Sequence, residues 1–331
     1  MMNPVSVTRA EELLRSACKK QVAVMGDFML DRHLKGRVRR ISPEAPVPVV
    51  EIESETTGLG GAGNVVNNLA SLGVRPLAFG VVGDDAAGQV LIGHLETIRA
   101  ATDGVIVCSS RKTTEKTRII AHDQHVVRAD RETPDAILRA DEDRILSALE
   151  SAISSVQALI LQDYNKGVLT EHCITSALRI ARKHNVPTYV DPKFERFFDY
   201  QRTHLFKPNI PELSAALGIS IRTDEELHGA ARQLYERIHP ELILVTRGEK
   251  GMALFLGPDD VRHVPTRAQK VHDVSGAGDT VLATYVAAEI GSATPQEAAV
   301  IANEAAGIVC GEVGVVPIDR ERLLDVIGGR E

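Results

Sequence analysis

Short apolar runs alternate with stretches of helical periodicity along this chain. The apolar runs are rich in β-branched residues and predict strands, whereas a spacing of three to four residues predicts helices. The predicted strands are Gln21–Gly26, Leu77–Val82, Ala158–Leu161, Thr188–Val190 and Leu242–Thr246. The predicted helices are Asn64–Leu72, Ala87–Arg99, Asp141–Ser151, Thr170–His184 and Glu225–Ile238. This order predicts an α/β fold with a mostly parallel central sheet covered by helices.

Polar residues or glycines follow these strands. They are Gly26-Asp27, Gly83-Asp84-Asp85, Asp163, Asp191 and Arg247-Gly248. In open α/β sheets, ligands bind beyond the carboxyl ends of the strands. We therefore expect these side chains to face one crevice.

Two segments interrupt the alternation. Residues Pro43–Glu53 and Gly104–Arg128 are rich in Val, Ile and Thr and carry few helical signals, so they predict a small separate sheet. We expect a single domain over residues 1–331, with lid strands at about 38–57 and 104–129. Two loops with short edge strands are the alternative.

Composition narrows the class of protein. The 331 residues are 44% hydrophobic and 25% charged, which is typical of an ordered globular chain. A net charge of −7 argues against a general nucleic-acid binder. The four cysteines have no C-x-x-C spacing, and no run approaches the roughly 20 apolar residues that cross a bilayer. We expect a cytoplasmic protein without nucleic-acid or membrane partners.

The stretch Asp273–Thr280, with sequence DVSGAGDT, is the strongest chemical signal. Gly276, Ala277 and Gly278 should form the N-terminal turn of a helix, where free N–H groups attract an anion such as phosphate. Asp279 follows within one turn and is our candidate general base for an attacking hydroxyl. A glycine-rich turn capped by an aspartate is the structural alternative.

The octet closely resembles the C-terminal signature of the ribokinase-like sugar kinases, the PfkB family. This resemblance implies a three-layer sandwich with a β-strand lid, and ATP with Mg²⁺ as cofactors. The sequence GGAGN at Gly60–Asn64 is similar to the family's G-G-x-x-N signature, which places Gly60, Gly61 and Asn64 at the sugar. A nucleotide-phosphate loop is the competing interpretation, but its usual glycine fingerprints are missing.

The resemblance also implies roles for other residues. The family commonly uses an aspartate at the position of Asp27 to contact sugar hydroxyls; Asp31 is either a second contact or a local cap. Asn209 and Glu212 match N-x-x-E, which arranges Mg²⁺ and phosphate through waters. The predicted nucleotide contacts are Thr246, Gly248 and Gly251 in a T-x-G-x-x-G turn, the glycines Gly276 and Gly278, and Asn303 beside adenine. Asn303 could instead lie on a helix surface, and Asp273–Ser275 could contribute to a monovalent-cation site.

A narrower resemblance lies in Arg40–Val50, Asp163–Gly167 and Asp191–Lys193, which are similar to the heptose-7-phosphate kinases. It implies transfer of phosphate from ATP to the anomeric C1 hydroxyl of D-glycero-β-D-manno-heptose 7-phosphate, for ADP-heptose and the lipopolysaccharide inner core. Such kinases are often fused to a nucleotidyltransferase domain; here we expect the stand-alone kinase. The alternatives are a PfkB kinase for another acceptor and a catalytically idle sensor of sugar phosphate or nucleotide.

A phosphorylated acceptor requires cations around its distal phosphate. Candidates are Lys116, Arg118, Arg128, Lys166 and Lys193. Lys193 is the strongest, because it follows a strand end and Pro192 fixes the backbone before it. Asp163 contacts sugar hydroxyls or holds a structural position. The resemblance also implies a homodimer through the lid strands; a monomer is the alternative.

Overall fold

The computed structural model describes residues 5–122, 124–266 and 273–329. The strands are β1 Gln21–Gly26, β2 Phe28–Ile41, β3 Pro48–Gly61, β4 Arg75–Gly83, β5 Ala101–Cys108, β6 Thr114–Ala121, β7 Gln124–Arg131, β8 Ala158–Gln162, β9 Thr188–Asp191, β10 Leu205–Phe206, β11 Leu242–Thr246, β12 Met252–Gly257 and β13 Asp260–Val264. The helices are α1 Val7–Ala17, α2 Ala62–Ser71, α3 Ala86–Thr97, α4 Arg139–Ala152, α5 Glu171–Lys183, α6 Ile210–Leu217, α7 Asp224–Ile238, α8 Ala277–Ile290, α9 Pro295–Cys310 and α10 Arg320–Ile327.

Nine strands form one central sheet in the order β13-β12-β11-β10-β9-β8-β1-β4-β5. Neighbours from β11 to β5 pair in parallel, and β12 and β13 add an antiparallel edge. The predicted mostly parallel α/β sheet is confirmed, and each of the five predicted strands and helices is present within a few residues.

Helices cover both faces of this sheet. Val22 and Val24 of β1 belong to a core shared with α1, α2, α3, α8, α9 and α10, whereas Ala23 and Met25 face a core shared with α4 to α7. This alternation of side chains along a strand produces the predicted three-layer sandwich. Helix α8 is buried on all sides from Asp279 to Ala288, as expected for a helix that is apolar all round.

A second sheet has the order β3-β2-β6-β7 and carries the long hairpin of β2 and β3. Its extent differs from the prediction at both segments. The hairpin spans residues 28–61 rather than 38–57, and residues 104–108 belong to β5 of the central sheet, where they pair with β4. Asp123, within the second predicted segment, lies outside the described residues. Periodicity did not separate β5 from β6 because both are short extended runs of similar composition.

Across the described ranges, the structure contains no helix with both the length and the apolar character needed to cross a membrane. Cys18, Cys108, Cys173 and Cys310 are free thiols, in agreement with their irregular spacing.

Candidate active site

The DVSGAGDT stretch leads into the N-terminus of α8, as predicted. Gly276 is the N-cap residue, with φ of +78°. A Cβ at this position would lie 2.6 Å from Nδ2 of Asn64, so both backbone geometry and space require glycine. The first turn of α8 contains Ala277, Gly278 and Asp279, and its amides lie at the positive end of a helix dipole. The local structure is therefore suited to an anion.

The Asp279 carboxylate is 2% exposed and accepts hydrogen bonds from three uncharged side chains. Asn64 Nδ2 donates to Oδ2 at 2.8 Å, whereas Gln162 Nε2 at 3.0 Å and Tyr164 OH at 2.8 Å donate to Oδ1. Burial raises the pKa of Asp279 to about 6; the charge of Asp191 raises this pKa too, and the Asn64 and Tyr164 hydrogen bonds oppose the rise. A carboxylate with this pKa is ionised at neutral pH, yet is a better base than an exposed aspartate.

An ion pair between Lys207 and Asp191 lies beside the predicted base. Gln162 Nε2 also donates to Oδ2 of Asp191 at 3.0 Å, and Nζ of Lys207 lies 3.0 Å from the same oxygen. Lys207 is 3% exposed, so its charge is compensated inside the protein. A Cβ at Gly278 would approach Lys207 Nζ no closer than 3.5 Å. Packing within the chain therefore tolerates a side chain at Gly278, and a requirement for glycine there would come from a ligand.

A cavity of about 1080 Å³ opens in front of this helix terminus. Its lining includes Asp279 and every residue predicted to contact the nucleotide: Asn209, Glu212, Thr246, Gly248, Gly251, Gly276, Gly278 and Asn303. Segments separated by nearly a hundred residues in sequence thus line one cavity. The volume is suited to a ligand the size of a nucleotide with part of its acceptor.

The N-x-x-E residues form a capping box at the start of α6. Asn209 Oδ1 accepts from the Glu212 N–H at 2.7 Å, and Glu212 Oε2 accepts from the Asn209 N–H at 3.0 Å. The second Glu212 carboxylate oxygen contacts the Lys193 ammonium. The described residues contain no group of three or more His, Cys, Asp or Glu placed to hold a metal directly. Mg²⁺ held through waters and phosphates does not need such a group, so this arrangement fits the predicted indirect role.

The T-x-G-x-x-G turn follows β11. Gly251 has φ of +78°, and a Cβ there would lie 2.0 Å from the Val264 carbonyl oxygen, so glycine is required. Gly248 also has positive φ, at +59°. Asn303 is 5% exposed and donates from Nδ2 to the Pro265 carbonyl oxygen at 2.9 Å. Asn303 is therefore buried rather than on the helix surface, and its contact with adenine stays a prediction.

Asp27 has a different set of contacts from the one expected for a sugar ligand. Its carboxylate is 1% exposed and accepts the backbone N–H groups of Tyr164, Lys166 and Val168, at 2.8, 3.0 and 3.1 Å. Burial raises the pKa of Asp27, and these hydrogen bonds oppose the rise. Asp27 thus fixes the loop after β8, and contact with a sugar would use the remaining lone pairs.

Asp163 is also buried. Its carboxylate accepts from the Tyr200 hydroxyl at 2.7 Å and from the Asn165 N–H at 2.8 Å. Burial and the nearby Asp27 charge raise the pKa of Asp163 to about 6. These contacts support the structural alternative for Asp163.

Asp31 forms an ion pair with Arg118 of the neighbouring strand β6, so it does not cap a helix. A Cβ at Gly60 would lie 2.4 Å from Asp31 Oδ2, and one at Gly61 would lie 2.4 Å from the Asp27 carbonyl oxygen. Space for a Cβ is therefore limited at Gly60 by the Asp31 carboxylate and at Gly61 by the Asp27 backbone. Asn64 lies one turn later in α2 and reaches Asp279, which connects the two glycine-rich segments.

The basic candidates for a distal phosphate separate into two groups. Lys193 contacts Glu212 in the nucleotide-side cavity, which does not fit our preference for it as the distal-phosphate ligand. Lys116 is on β6, with Nζ 5.7 Å from the Tyr164 ring centroid, near Lys166 and Arg128. Lys166 pairs with Glu132 at 2.8 Å, and the exposed Arg128 pairs with Asp130 at 2.9 Å. Lys116 is thus the cation best placed on the lid side.

Sequence reasoning missed three side chains. Gln162 and Tyr164 donate to Asp279, and Lys207 compensates Asp191. Gln162 and Lys207 stand at the ends of apolar strands, so the same strand-end signal that indicated Asp163 and Asp191 could have identified them. Tyr164 lies within Asp163–Gly167, one of the segments that resemble the heptose-7-phosphate kinases, but no role was assigned to it.

Comparison with known proteins adds relatives and a family. The chain is 41% identical over 320 residues to the bifunctional protein HldE of Rhodospirillum rubrum and 40% identical over 318 residues to that of Geobacter sulfurreducens. The matched regions cover 97% and 96% of this chain but 64% and 65% of those proteins. The chain thus spans less than two thirds of the length of these curated relatives.

Solved structures show the same fold. Arabidopsis thaliana ribokinase complexed with ribose and ATP has a TM-score of 0.72 at 20% identity, covering 94% of this chain and 99% of that one. Escherichia coli phosphofructokinase-2 in complex with substrates and products has a TM-score of 0.75 at 17% identity, with the same coverages of 94% and 99%. The family model for the pfkB family carbohydrate kinases matches residues 19–321. The chain therefore belongs to the PfkB family of carbohydrate kinases and is a sugar kinase, a phosphotransferase with an alcohol group as acceptor.

Proposed function

We propose that this kinase transfers the γ-phosphate of ATP to the anomeric C1 hydroxyl of D-glycero-β-D-manno-heptose 7-phosphate. The product is the 1β,7-bisphosphate used for ADP-heptose and the lipopolysaccharide inner core. The observation that carries this proposal is the position of Lys116. This half-buried lid-strand cation lies against the ring of Tyr164, whose hydroxyl contacts Asp279. A cation here suits an acceptor that already carries one phosphate.

Two features of the sequence and its relatives support the same acceptor. The segments Arg40–Val50, Asp163–Gly167 and Asp191–Lys193 resemble heptose-7-phosphate kinases. The HldE proteins match nearly the whole chain at about 40% identity. A kinase for fructose 6-phosphate, ribose or adenosine is the alternative within the family.

The chemistry assigned to the chain is direct transfer. Asp279 takes the proton of the C1 hydroxyl as the hydroxyl oxygen bonds to the γ-phosphorus, and the bond to the ADP oxygen breaks. The N–H groups of Gly276 to Gly278 stabilise the charge on the transferring oxygens. We assign Lys193 to these oxygens, because it lies in the nucleotide-side cavity and near Asp279. Burial lowers the pKa of Lys193, but Asp191 and Glu212 outweigh it, and the pKa is raised overall.

We also assign residues to the binding of Mg²⁺, the nucleotide and the 7-phosphate. Asn209 and Glu212 would hold Mg²⁺ through waters, and Mg²⁺ would neutralise charge on the ATP phosphates. Thr246, Gly248, Gly251 and Asn303 would contact the nucleotide. Asp273–Ser275 remains our candidate for a monovalent-cation site. On the acceptor side we propose Lys116, assisted by Arg128 and Lys166, for the 7-phosphate.

We further propose that the small sheet of β2, β3, β6 and β7 is a lid and that two copies associate through it. Large apolar residues on or beside its strands are exposed: Ile41, Val47, Ile52, Val126 and Val127. Their exposure is easier to explain if another copy of the chain covers them than if they face water. With free thiols throughout, we place the protein in the cytoplasm.

An acceptor panel tests the proposed substrate. The purified protein would be incubated with MgATP and the heptose 7-phosphate, fructose 6-phosphate, ribose or adenosine, and products identified by mass and phosphorus NMR. We expect selective formation of a β-linked 1,7-bisphosphate. Transfer to another acceptor would refute the heptose assignment but leave kinase chemistry intact. No turnover with any acceptor would favour an idle sensor.

A further inference from the structure

Tyr164 occupies a position that its sequence context did not reveal. Its hydroxyl donates to Asp279 Oδ1 at 2.8 Å, and two lysine ammonium groups lie over its ring. Lys116 Nζ is 5.7 Å from the ring centroid and Lys193 Nζ is 5.2 Å from it. One lysine comes from the lid sheet and the other from the segment after β9. Tyr164 therefore contacts the base, the lid and the nucleotide side at once.

The loop that carries Tyr164 is held in place by buried groups. Asp27 Oδ2 accepts the Tyr164 N–H at 2.8 Å, and Arg111 donates to the Lys166 carbonyl oxygen at 2.6 Å. Asp163, directly before Tyr164, accepts from Tyr200, which is fully buried. These bonds restrict where the Tyr164 hydroxyl can point. Such support is what a fixed hydrogen-bond donor in an active site requires.

We propose that Tyr164 is a positioning residue for phosphoryl transfer, orienting the Asp279 carboxylate through its hydroxyl and linking it to the lid through the Lys116 contact. This inference rests on the proposed role of Asp279 as general base. With Asn64 and Gln162, Tyr164 completes a set of three uncharged donors around that carboxylate. Fixing the carboxylate directs one lone pair toward the acceptor hydroxyl.

The charge environment gives the proposal a specific pH signature. Asp279 faces Asp191 from β9, Lys207 after β10, Lys193 and the Tyr164 hydroxyl. Asp191 raises the pKa of Asp279, whereas the Tyr164 hydrogen bond and Lys207 lower it. Removing the hydroxyl therefore raises the pKa of the base. The acid limb of activity should then move to higher pH.

Tyr164→Phe tests the hydroxyl while keeping the ring under both lysines. We expect kcat/KM for the acceptor at pH 7 to fall about 10-fold or more, the scale of one hydrogen bond to a charged group. The acid limb of the variant's pH profile of kcat/KM should move to higher pH, and KM for the acceptor should change little. Tyr164→Leu, which also removes the ring, should in addition raise that KM.

Tyr235→Phe is the control, because the Tyr235 hydroxyl also makes a hydrogen bond, to the Phe255 carbonyl oxygen at 3.1 Å, but on α7 and β12 rather than in the loop that carries Tyr164. It should lower the thermal midpoint but leave the acid limb in place. The acceptor ionises identically in every assay. A difference between the acid limbs of a variant and the parent therefore comes from ionisation of the protein. An acid limb of Tyr164→Phe that coincides with the parent's overturns the inference. Asp279→Asn in the same assay separates the two ideas, since its near-normal turnover would refute the proposed base itself.

Discussion

The candidate active site and the small sheet differ in the exposure of their polar groups. In the candidate active site, Asp279, Asp191, Gln162 and Lys207 are nearly inaccessible, and each has partners within the chain. On the small sheet, every residue of β7 is exposed. Its outer ion pairs, such as Arg37 with Glu53, are solvent-exposed and contribute little stability.

This difference indicates where the protein depends on a ligand or partner. The candidate active site is preorganised, because its hydrogen bonds form on folding and need no rearrangement when substrate arrives. The small sheet exposes apolar side chains, and all of β7 and the middle of β3 are exposed. Exposed apolar surface of this kind is typical of interaction sites, which supports the proposed lid and dimer. Changes in the candidate active site should therefore affect chemistry, and changes on the small sheet should affect binding or assembly.

Asp279→Asn should have the largest effect. We expect turnover to fall by roughly 10²–10⁴-fold, the usual scale for a general base. Acceptor binding should persist, because asparagine keeps the size of the side chain and the change leaves the proposed contacts to the 7-phosphate in place. Steady-state kinetics and acceptor titration measure the two quantities. Turnover within a few-fold of the parent would exclude Asp279 as the base.

Gly276→Ala should lower turnover by about 10- to 100-fold, because a Cβ would displace Asn64 and distort the first turn of α8. The control is Gly58→Ala on β3, where an added Cβ meets nothing within 4 Å. We expect near-parental kinetics for the control. Equal losses in both variants would contradict the special role of the helix terminus.

Lys116→Met should raise KM for a phosphorylated acceptor by about 10-fold with little change in kcat, consistent with loss of one charge-assisted contact. Lys112→Met, at an exposed position before β6, is the matched control. With the dephosphorylated sugar, the parent and Lys116→Met should become similar. A persistent difference there would show that Lys116 does not act on the phosphate.

The pH profile should follow ionisation of Asp279. With its pKa raised to about 6, kcat/KM should fall below pH 6, approaching tenfold per unit. The free energy of unfolding should depend on pH in the opposite direction. Because the pKa of Asp279 is higher in the folded state than in the unfolded state, Asp279 favours folding at acid pH. That contribution is lost as the pH rises from about 4 through about 6. A rate that stays flat down to pH 5 would contradict this assignment.

The smallest effect on the fold should come from Ile52→Glu on the small sheet, where Ile52 is 47% exposed. We expect a dimer to dissociate while the free energy of unfolding of the monomer changes by no more than about 0.5 kcal/mol. Val90→Glu, on α3 and 38% exposed, is the control and should leave assembly unchanged. Light scattering and chemical denaturation measure both. A parent that is already monomeric would refute the proposed dimer.

Local patterns predicted much of the fold. The five strands and five helices that we placed are present, because their apolar spacing matches the period of each element. The boundaries of the lid were predicted less well: β5 joins the central sheet although its composition resembles that of β6. Pairing partners of an extended segment depend on contacts distant in sequence, which periodicity does not contain.

The residues of the candidate site were likewise predicted only in part. Gly276, Asp279 and the nucleotide-side residues were proposed from motifs, since each motif combines a required backbone shape with a chemical group, and the structure brings them to one cavity. Gln162, Tyr164 and Lys207 were missed because their side chains gain a role through proximity to Asp279 and Asp191. Asp27 was expected at the sugar, yet both of its oxygens accept hydrogen bonds from the Tyr164–Val168 loop.

The sequence alone determined the layered α/β class, the glycine-rich helix start and the carboxylate beside it, because these depend on neighbours a few residues apart. Tertiary structure decided which donors surround Asp279, that Lys193 contacts Glu212, and that Lys116 lies over Tyr164. Those contacts join strands and helices up to about two hundred residues apart, as Asn64 and Asp279 show. Their geometry follows from sheet order and packing, which arise only when the whole chain folds.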